Sequence, residues 1–477
     1  MLLKQVFIGR KHPLSTYNCE LVKFPIRRFT SATGPFNFVD GKRVEPVDRL
    51  CDTIVINPAK GEELCHVPSS GKLEVSRAVS AAKEAFKTWS QFSNTERGKL
   101  LTAVGSKIRS NLEDIAHLEV LNNGKPIWEA RVDIASCADA FEYFGGTIAS
   151  LTGQHVPLQG DNFAMVCREP LGVVVGIGAW NFPLQTCSWK GAGETGSHLC
   201  HHPDVAKISF TGSVATGVNI MTAAAAGMKK VTLELGGKSP LIIFNDADVD
   251  NAVKAAMVAN FLSQGQVCSN GTRVFVQNAI AEEVLERLIN ATNNLKIGDP
   301  FEEDTTVGAT ISEEQAEKVL SYIKEAEKKG AIVLCGGRRI SLPAPLENGI
   351  FVSPCILSNC HDDMRVVKEE VFGAVMTFLT FSTEEEVVQR ANKTPYGLAG
   401  GVFTRDLSRA FRVIRKLEAG TVWINNYNLY PPELPFGGYK WSGIGRENGT
   451  AVFEHYTQTK TVFVETGDVD AGPLYPQ

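Results

Sequence analysis

The chain has 477 residues, enough for two or three domains. Its 48 Lys and Arg residues against 53 Asp and Glu residues give a net charge of −5, which argues against a nucleic-acid-binding protein. No apolar run approaches membrane-spanning length, so we expect no membrane partner. Eleven cysteines, without a Cys-x-x-Cys pair, are typical of a reducing compartment and argue against a disulfide scaffold.

Residues 1–35 differ from the rest, with six Lys or Arg residues and one acid, Glu20. This composition is typical of a mitochondrial transit peptide, but Pro13 and Pro25 interrupt any amphipathic helix. The alternatives are a disordered basic arm or sequence upstream of the true start. We therefore expect a cytoplasmic protein, with the mitochondrial matrix as the alternative location.

Two helices follow in the first third of the chain. An amphipathic stripe predicts the first from Leu73 to Trp89. A second is predicted from an N-cap at Thr95 to a stop at Asn123-Gly124. We interpret both as structural, because nothing in them requires chemistry.

Two predicted strands end in stretches suited to ligand binding. The apolar run Val173–Ile177 leads to Trp180-Asn181, and small residues at its carboxyl end leave room for a ligand. A short strand, Ile208–Thr211, leads to Gly212-Ser213 and an Ala-rich helix that ends at Gly227. A glycine turn that opens a helix suits an anion, although a simple tight turn with a helix cap is the alternative.

The central chemistry lies in a carboxylate and a thiol 34 positions apart. Glu234 lies near the end of a predicted strand, Lys230–Leu235, and Cys268 follows a helix that runs out at Gly265. A thiolate is a strong nucleophile, and a nearby base can serve the second half of a covalent mechanism. Taken singly, a Cys at a helix end is more often a small buried hydrophobe, and a Glu near a strand end is usually a solvated or capping side chain.

A cluster of His198, Cys200, His201 and His202 has metal-ligand residue types. Its spacing favours a polar helix end, and we expect no metal. Beyond Cys268 the pattern predicts a second α/β unit, with strands at Arg273–Gln277 and Ala331–Cys335 and a helix from Ser312 to Lys329.

Long motifs carry a resemblance that covers about Phe38 to Glu465. These are Glu234-Leu-Gly-Gly-Lys-Ser-Pro240, Gly265-Gln-Val-Cys268, Glu370-Val-Phe372-Gly373, Asn425-Asn426-Tyr427, Pro435-Phe436-Gly-Gly-Tyr-Lys440 and Ser442-Gly-Ile-Gly-Arg-Glu447. Together they closely resemble the NAD(P)-dependent aldehyde dehydrogenase family. Within it the chain is most similar to the subgroup that acts on 4-trimethylaminobutyraldehyde or betaine aldehyde.

The resemblance implies oxidation of a small-molecule aldehyde to the acid. Cys268 is then the nucleophile, the Asn181 amide helps to form the oxyanion hole, and Glu234 activates water to hydrolyse the thioester. It implies NAD as cofactor. The residues that it assigns to the cofactor are Trp180, Gly212, Ser213, Val214, Ala215, Thr216, Leu235, Glu370 and Phe372, with Ala374 where the family usually has Pro.

The family pattern is interrupted after Lys190, where the family has roughly 45 more residues, more than one βαβ unit. The missing part normally holds two strands of the cofactor sheet and a Lys that binds the adenosine ribose. The alternative is therefore a deletion product that no longer binds NAD, acting as a non-catalytic subunit or weak esterase.

The expected fold is α/β and aldehyde-dehydrogenase-like. It comprises a truncated Rossmann-type cofactor domain (36–152 and 170–235), an α/β catalytic domain (236–455) and oligomerisation segments (153–169 and 456–477). In the family the stretch His155–Arg168 pairs with a neighbouring subunit, and its partner there is the strand that corresponds to Thr459–Glu465. This implies a homo-oligomer, a dimer or tetramer.

A trimethylammonium group is well held by aromatic faces, and four aromatic residues are candidates for that contact. These are Phe182, Trp189, Tyr427 and Phe436. Because aromatic rings line most aldehyde pockets, they do not by themselves identify the substrate.

Overall fold

The computed structural model describes residues 37–45, 47–189, 195–469 and 474. The basic segment 1–35 and the stretch 190–194 lie outside the described residues. The strands are β1 Asn37–Val39, β2 Lys42–Val44, β3 Arg49–Asn57, β4 Glu62–Ser70, β5 Gln154–Pro157, β6 Phe163–Pro170, β7 Val173–Ile177, β8 Val205–Thr211, β9 Lys230–Glu234, β10 Pro240–Ile243, β11 Arg273–Gln277, β12 Ile332–Cys335, β13 Arg339–Ile340, β14 Phe351–Val352, β15 Cys355–Ser358, β16 Val375–Phe381, β17 Ala399–Phe403, β18 Thr421–Ile424, β19 Gly443–Ile444 and β20 Thr457–Val464.

The helices lie between these strands. They are α1 Lys72–Trp89, α2 Asn94–Ser110, α3 Leu112–Asn123, α4 Ile127–Thr147, α5 Pro183–Trp189, α6 Thr195–His201, α7 Val214–Ala226, α8 Val249–Phe261, α9 Ala281–Asn293, α10 Glu313–Lys328, α11 Arg365–Lys368, α12 Glu384–Asn392, α13 Leu407–Ile414 and α14 Val452–Tyr456.

The first lobe is built on a sheet with the order β19-β9-β8-β7. β7, β8 and β9 are parallel, and the short β19 pairs antiparallel with β9. Val175, Ile208 and Phe210 lie in its apolar core, against which α1, α6 and α7 pack. The strand Val205–Thr211 is longer than predicted, and β19 joins this sheet from a part of the chain that we assigned to the other domain.

The second lobe is built on a seven-stranded sheet with the order β12-β15-β16-β11-β10-β17-β18. Its pairings are parallel except at the edge strand β12, which runs antiparallel to β15. Ser312 caps α10 through its side chain, so this helix begins and ends within one residue of its predicted bounds. The two lobes together give the expected α/β architecture.

A small third sheet has the order β20-β6-β5. β6 pairs antiparallel with β20 of the same chain, from Phe163–Val464 to Pro170–Thr457. The resemblance places the pairing of these two strands between subunits, whereas the structure forms it within one chain; contact of this sheet with a second subunit stays a prediction. The side chain of Phe463 is nevertheless 74% exposed, and exposed apolar side chains of this size are typical of interaction surfaces.

The second predicted helix is two helices, α2 and α3. The N-cap is Ser93 rather than Thr95, since Ser93 forms a capping box with Glu96. Asn111 interrupts the helix with φ −121° and ψ 22°, and its side-chain amide donates to the Lys107 carbonyl. An Asn that bonds to its own backbone neighbours competes with the helix at this point.

The histidine cluster lies where a helix end was predicted. α6 ends at His201, and Cys200 is buried in the core of the first lobe. Across the described ranges, no group of three or more His, Cys, Asp or Glu side chains could hold a metal ion. In the same ranges, no helix has the length and apolar character needed to cross a bilayer.

Candidate active site

The backbone of Cys268 lies against the Gly-Gly segment that follows Glu234. A Cβ atom added to Gly237 would come within 2.6 Å of the Cys268 carbonyl oxygen. Only glycine permits this approach, so the glycine pair lets the two predicted catalytic segments meet. Cys268 itself is partly exposed.

Glu234 ends β9 with a buried side chain. Its backbone pairs with Gly443 of β19, and the next residue, Leu235, donates its N–H to the Ser442 carbonyl at 2.9 Å. A Cβ on Gly437 would lie 3.0 Å from Glu234 Oε1. The segments 435–440 and 442–447, singled out by motif, thus enclose the carboxylate of Glu234.

The electrostatics of the Cys268 thiol favour its neutral form. Burial, then the negative charges of Glu370 and Glu234, raise its pKa to about 12, while the N–H groups of Cys268 and Ser269 oppose the rise. Both carboxylates are therefore close enough to act on the sulfur. The thiol needs a base or an added positive charge nearby before it becomes a nucleophile.

Asn181, the predicted oxyanion donor, is buried beside the nucleophile segment. Its Nδ2 donates to the Gln266 carbonyl at 2.7 Å. An amide nitrogen carries two N–H groups, so one remains to donate to an oxyanion. Asn123 Nδ2 donates to the carbonyls of Trp180 and Asn181 at 2.9 and 3.1 Å, which fixes the backbone that presents this amide.

The predicted phosphate-binding turn begins α7. Gly212 donates its N–H to the Glu234 carbonyl at 3.0 Å, and Ser213 caps the helix by accepting the Thr216 N–H. Ala215 and Thr216 are exposed in the first turn, and Val214 is half-buried. Leu235 packs beneath this turn against Gly217. The first N–H groups of α7 thus open to solvent beside the end of β9.

Glu370 reaches the same place from the second lobe. Its Oε1 accepts the Gly237 N–H at 3.1 Å, and a Cβ on Gly236 would lie 2.2 Å from its Oε2. Burial raises the pKa of Glu370 to about 7, opposed by the Gly237 N–H and by Lys318 and Lys238. The carboxyl group of Glu370 therefore contacts the Gly236-Gly237 link, which follows Glu234 and lies against the Cys268 backbone.

Trp180 and Phe372 form an aromatic pair at the mouth of this cleft. Their rings meet edge to face with centroids 5.2 Å apart, and Trp180 is 40% exposed. Phe372 has a left-handed backbone with φ 59°, and Gln315 Nε2 donates to its carbonyl at 2.8 Å. The turn that carries Ala374 in place of Pro is thus held by a side chain of α10.

The four aromatic candidates do not share one environment. One face of Phe182 already contacts the Lys125 ammonium, which lies 4.1 Å from the ring centroid. Tyr427 is buried and donates its hydroxyl to the Ser269 carbonyl at 3.0 Å. The side chain of Trp189 lies outside the described residues. Phe436 packs against Tyr430 with centroids 5.1 Å apart.

Several residues that hold the site were not predicted from sequence. Ser269, which follows the nucleophile, shares a hydrogen bond with the Tyr430 hydroxyl and donates to Asn428 Oδ1. Asn428 and Tyr430 belong to an aromatic and amide-rich stretch after β18, of which the sequence motif covers only Asn425-Asn426-Tyr427. Asn123 was read as a helix stop, and nothing in its local sequence indicates contact with residue 181.

Comparison with known proteins agrees with this geometry. The sequence profile of the aldehyde dehydrogenase family matches residues 48–193 and 190–462. The chain is 50% identical to 4-trimethylaminobutyraldehyde dehydrogenase A of Danio rerio, covering 92% of this chain and 95% of that protein. It is 49% identical to the Homo sapiens 4-trimethylaminobutyraldehyde dehydrogenase, with 92% and 98% covered. Both alignments extend over 482 positions, more than the chain's own length, so the relatives carry residues that this chain lacks.

Solved structures give the same result. A Staphylococcus aureus betaine aldehyde dehydrogenase in complex with NAD+ matches with a TM-score of 0.88 and 36% identity, covering 92% of this chain and 96% of that one. An aldehyde dehydrogenase from Bacillus cereus matches with a TM-score of 0.87 and 37% identity, covering 91% and 97%. These comparisons give no support to the alternative of a non-catalytic product. The chain belongs to the aldehyde dehydrogenase family.

Proposed function

We propose that this protein oxidises an aldehyde to its carboxylic acid with NAD, through a thioester on Cys268. The observation that carries the proposal is that Glu370 and the Cys268 backbone both meet the Gly236-Gly237 link that follows Glu234, while Asn181 donates to the Gln266 carbonyl two residues before Cys268. A nucleophile, an oxyanion donor and a base are the parts that acyl chemistry on a thiol requires.

The residues beside this link fit NAD. The exposed first turn of α7 offers N–H groups and the positive end of a helix to the pyrophosphate. Glu370 offers a carboxylate to ribose hydroxyls, and the Trp180–Phe372 pair offers apolar ring surface. When bound, NAD supplies the hydride acceptor.

The steps assigned to the chain's own residues follow from their positions. The Cys268 thiol first gives up its proton to water, and the resulting thiolate attacks the aldehyde carbon, where an Asn181 N–H stabilises the oxyanion that forms. Loss of hydride from this adduct leaves a thioester. Glu234 then takes a proton from water, the hydroxyl oxygen attacks the thioester carbon, and the carbon–sulfur bond breaks to release the acid and the thiolate.

The substrate that we propose is a trimethylammonio aldehyde, as the names of the relatives suggest. Support comes from the aromatic ring of Tyr430, which packs against Phe436 and whose hydroxyl shares a hydrogen bond with Ser269 beside the nucleophile. A cation over an aromatic face gains about 0.5–2 kcal/mol, which corresponds to a preference of roughly 2- to 30-fold.

The test compares 4-trimethylaminobutyraldehyde with its neutral analogue in which carbon replaces nitrogen. We expect kcat/KM to be higher for the cation, and Tyr430→Leu to reduce that preference. Equal kcat/KM for the two aldehydes, at measurable turnover, contradicts the substrate proposal but leaves the reaction type intact.

We also propose that the protein is a homo-oligomer. The sheet β20-β6-β5 has exposed apolar side chains, among them Phe463 and Met165, and open strand edges that a second copy can cover. Sedimentation of the wild type and of Phe463→Glu tests this proposal. A wild-type monomer at micromolar concentration contradicts it.

A further inference from the structure

The turn that leads to Cys268 is held in an unfavourable backbone conformation. Ser263, Gln264 and Gly265 have φ values of 49°, 56° and 72° in succession. Two of these residues have a Cβ, and such residues adopt the left-handed region only at a cost in energy. A strained turn three residues before a nucleophile persists only where surrounding contacts determine it.

Gly265 shows why the chain takes this path. A Cβ there would lie 2.2 Å from the carbonyl carbon and oxygen of Gly373, in the segment that carries Glu370 and Phe372. The turn thus packs directly on the backbone of the cofactor segment. Any relaxation of Ser263 or Gln264 moves this contact and the Cys268 segment together.

A buried carboxyl group holds the start of the turn. Both oxygens of Glu129 lie within hydrogen-bond distance of the Ser263 N–H, at 3.1 and 3.0 Å. Glu129 is 3% exposed and lies on α4, which packs against α2 and α3, the segment that we interpreted from sequence as structural. The interaction bridges 134 positions of sequence, so it is not a local capping contact.

Further buried charges surround Glu129 and contact the oxyanion segment. Lys125 is fully buried; its Nζ donates to Asp133 Oδ2 at 2.5 Å and lies 3.6 Å from Glu119 Oε1. Glu119 Oε2 in turn accepts the Leu184 N–H at 3.3 Å. This cluster of Glu119, Lys125, Glu129 and Asp133 therefore contacts both the 181–184 segment and the turn before Cys268.

We propose that Glu129 is a positioning residue, whose carboxyl group fixes the left-handed turn Ser263–Gly265 and thereby sets the place of the Cys268 sulfur. The proposal rests on the function proposed above, in which Cys268 is the nucleophile. Without this acceptor the Ser263 N–H is buried without a partner, and the turn loses the contact that favours φ 49°.

The protonation state of the Glu129 carboxyl group determines which substitution preserves its contact with the Ser263 N–H. Burial raises the pKa of Glu129 to about 8, opposed by Lys125 and by the Ser263 N–H and assisted by the charge of Asp133. At pH 7 the group is mostly uncharged, and its carbonyl oxygen still accepts the N–H. Glu129→Gln reproduces this state, whereas Glu129→Ala removes the acceptor.

The experiment measures iodoacetamide alkylation of Cys268 by peptide mass spectrometry, which needs neither NAD nor aldehyde, and then kcat and KM. We expect Glu129→Ala to change the alkylation rate and to lower kcat on the order of 10²-fold with little change in KM. Glu129→Gln should stay near the wild type. Glu142→Ala removes a partly exposed carboxylate on the same helix, which pairs with Arg109 and not with the active-site turn; it is the matched control and should change neither quantity.

Adding Ser263→Gly to Glu129→Ala distinguishes a positioning role of Glu129 from a general loss of stability. Glycine adopts positive φ without a Cβ penalty, so this change should restore part of the activity that Glu129→Ala loses. If Glu129→Ala does not fold, Glu129→Asp, one methylene shorter, takes its place with the same expectation.

A folded Glu129→Ala with wild-type alkylation and kcat overturns the proposal, as does a Glu129→Gln that loses as much as Glu129→Ala. Changed alkylation in a chain without any turnover supports the proposal and counts only against the proposed function.

Discussion

The unbound enzyme should have a Cys268 thiol with an unusually alkaline titration. Burial and the charges of Glu370 and Glu234 raise its pKa from 9.0 to about 12. At pH 8 the reactive thiolate fraction then falls from roughly a tenth to on the order of 10⁻⁴. Because iodoacetamide reacts with the thiolate, the alkylation rate should rise about tenfold per pH unit.

The assay follows modification of the Cys268 peptide from pH 7 to pH 10, which separates this thiol from the other ten cysteines. We expect a straight line of unit slope from about pH 8 upward, where Glu370 is ionised, and no plateau up to pH 10. Glu370→Gln removes the stronger of the two opposing charges and should raise the rate at every pH where Glu370 is ionised. An alkylation rate that levels off above about pH 9 refutes the reasoning that the two carboxylates act on the sulfur. An alkylation rate that Glu370→Gln leaves unchanged also refutes it.

Two further predictions concern the base and the buried cluster. Glu234→Gln should leave the first hydride transfer intact but slow thioester hydrolysis, because an amide cannot accept a proton from water. We expect a burst of NADH followed by stalled turnover. An unchanged steady-state rate contradicts the role of Glu234 as the base. Lys125→Met leaves buried carboxylates without their cation and should reduce the free energy of unfolding by about 3–5 kcal/mol in chemical denaturation. Lys83→Met, which removes one partner of an exposed pair with Asp204, is the control and should reduce it by less than about 1 kcal/mol. Equal losses in both variants contradict this account of the cluster.

The parts of the fold that were predictable have strong local signals. The unbroken apolar run of β7 and the capped amphipathic pattern of α10 were located within a residue or two. Long motifs identified the segments of Cys268, Glu234, Asn181 and Glu370, and the structure brings these segments together. That residues are missing after Lys190, and that they would form two strands and a crossover helix, stays a prediction; the described part of the first lobe contains three parallel strands.

The parts that were missed depend on contacts between distant residues. Glu129 and Asp133 lie one helical turn apart on the buried face of α4, and charges within an apolar stripe were the available signal. Their partners, Ser263 and Lys125, could not be assigned without the packing of the helical layer on the active-site loops. The split of one predicted helix at Asn111 likewise depends on a single side-chain hydrogen bond.

The measurement that tests the account most directly is NADH formation by the purified 477-residue chain with NAD and 4-trimethylaminobutyraldehyde, beside Cys268→Ala. The account predicts NADH accumulation in the wild type and none in the variant, with both proteins folded. A folded wild type that binds no NAD and forms no NADH with any aldehyde contradicts it, and would favour the shortened, non-catalytic product instead.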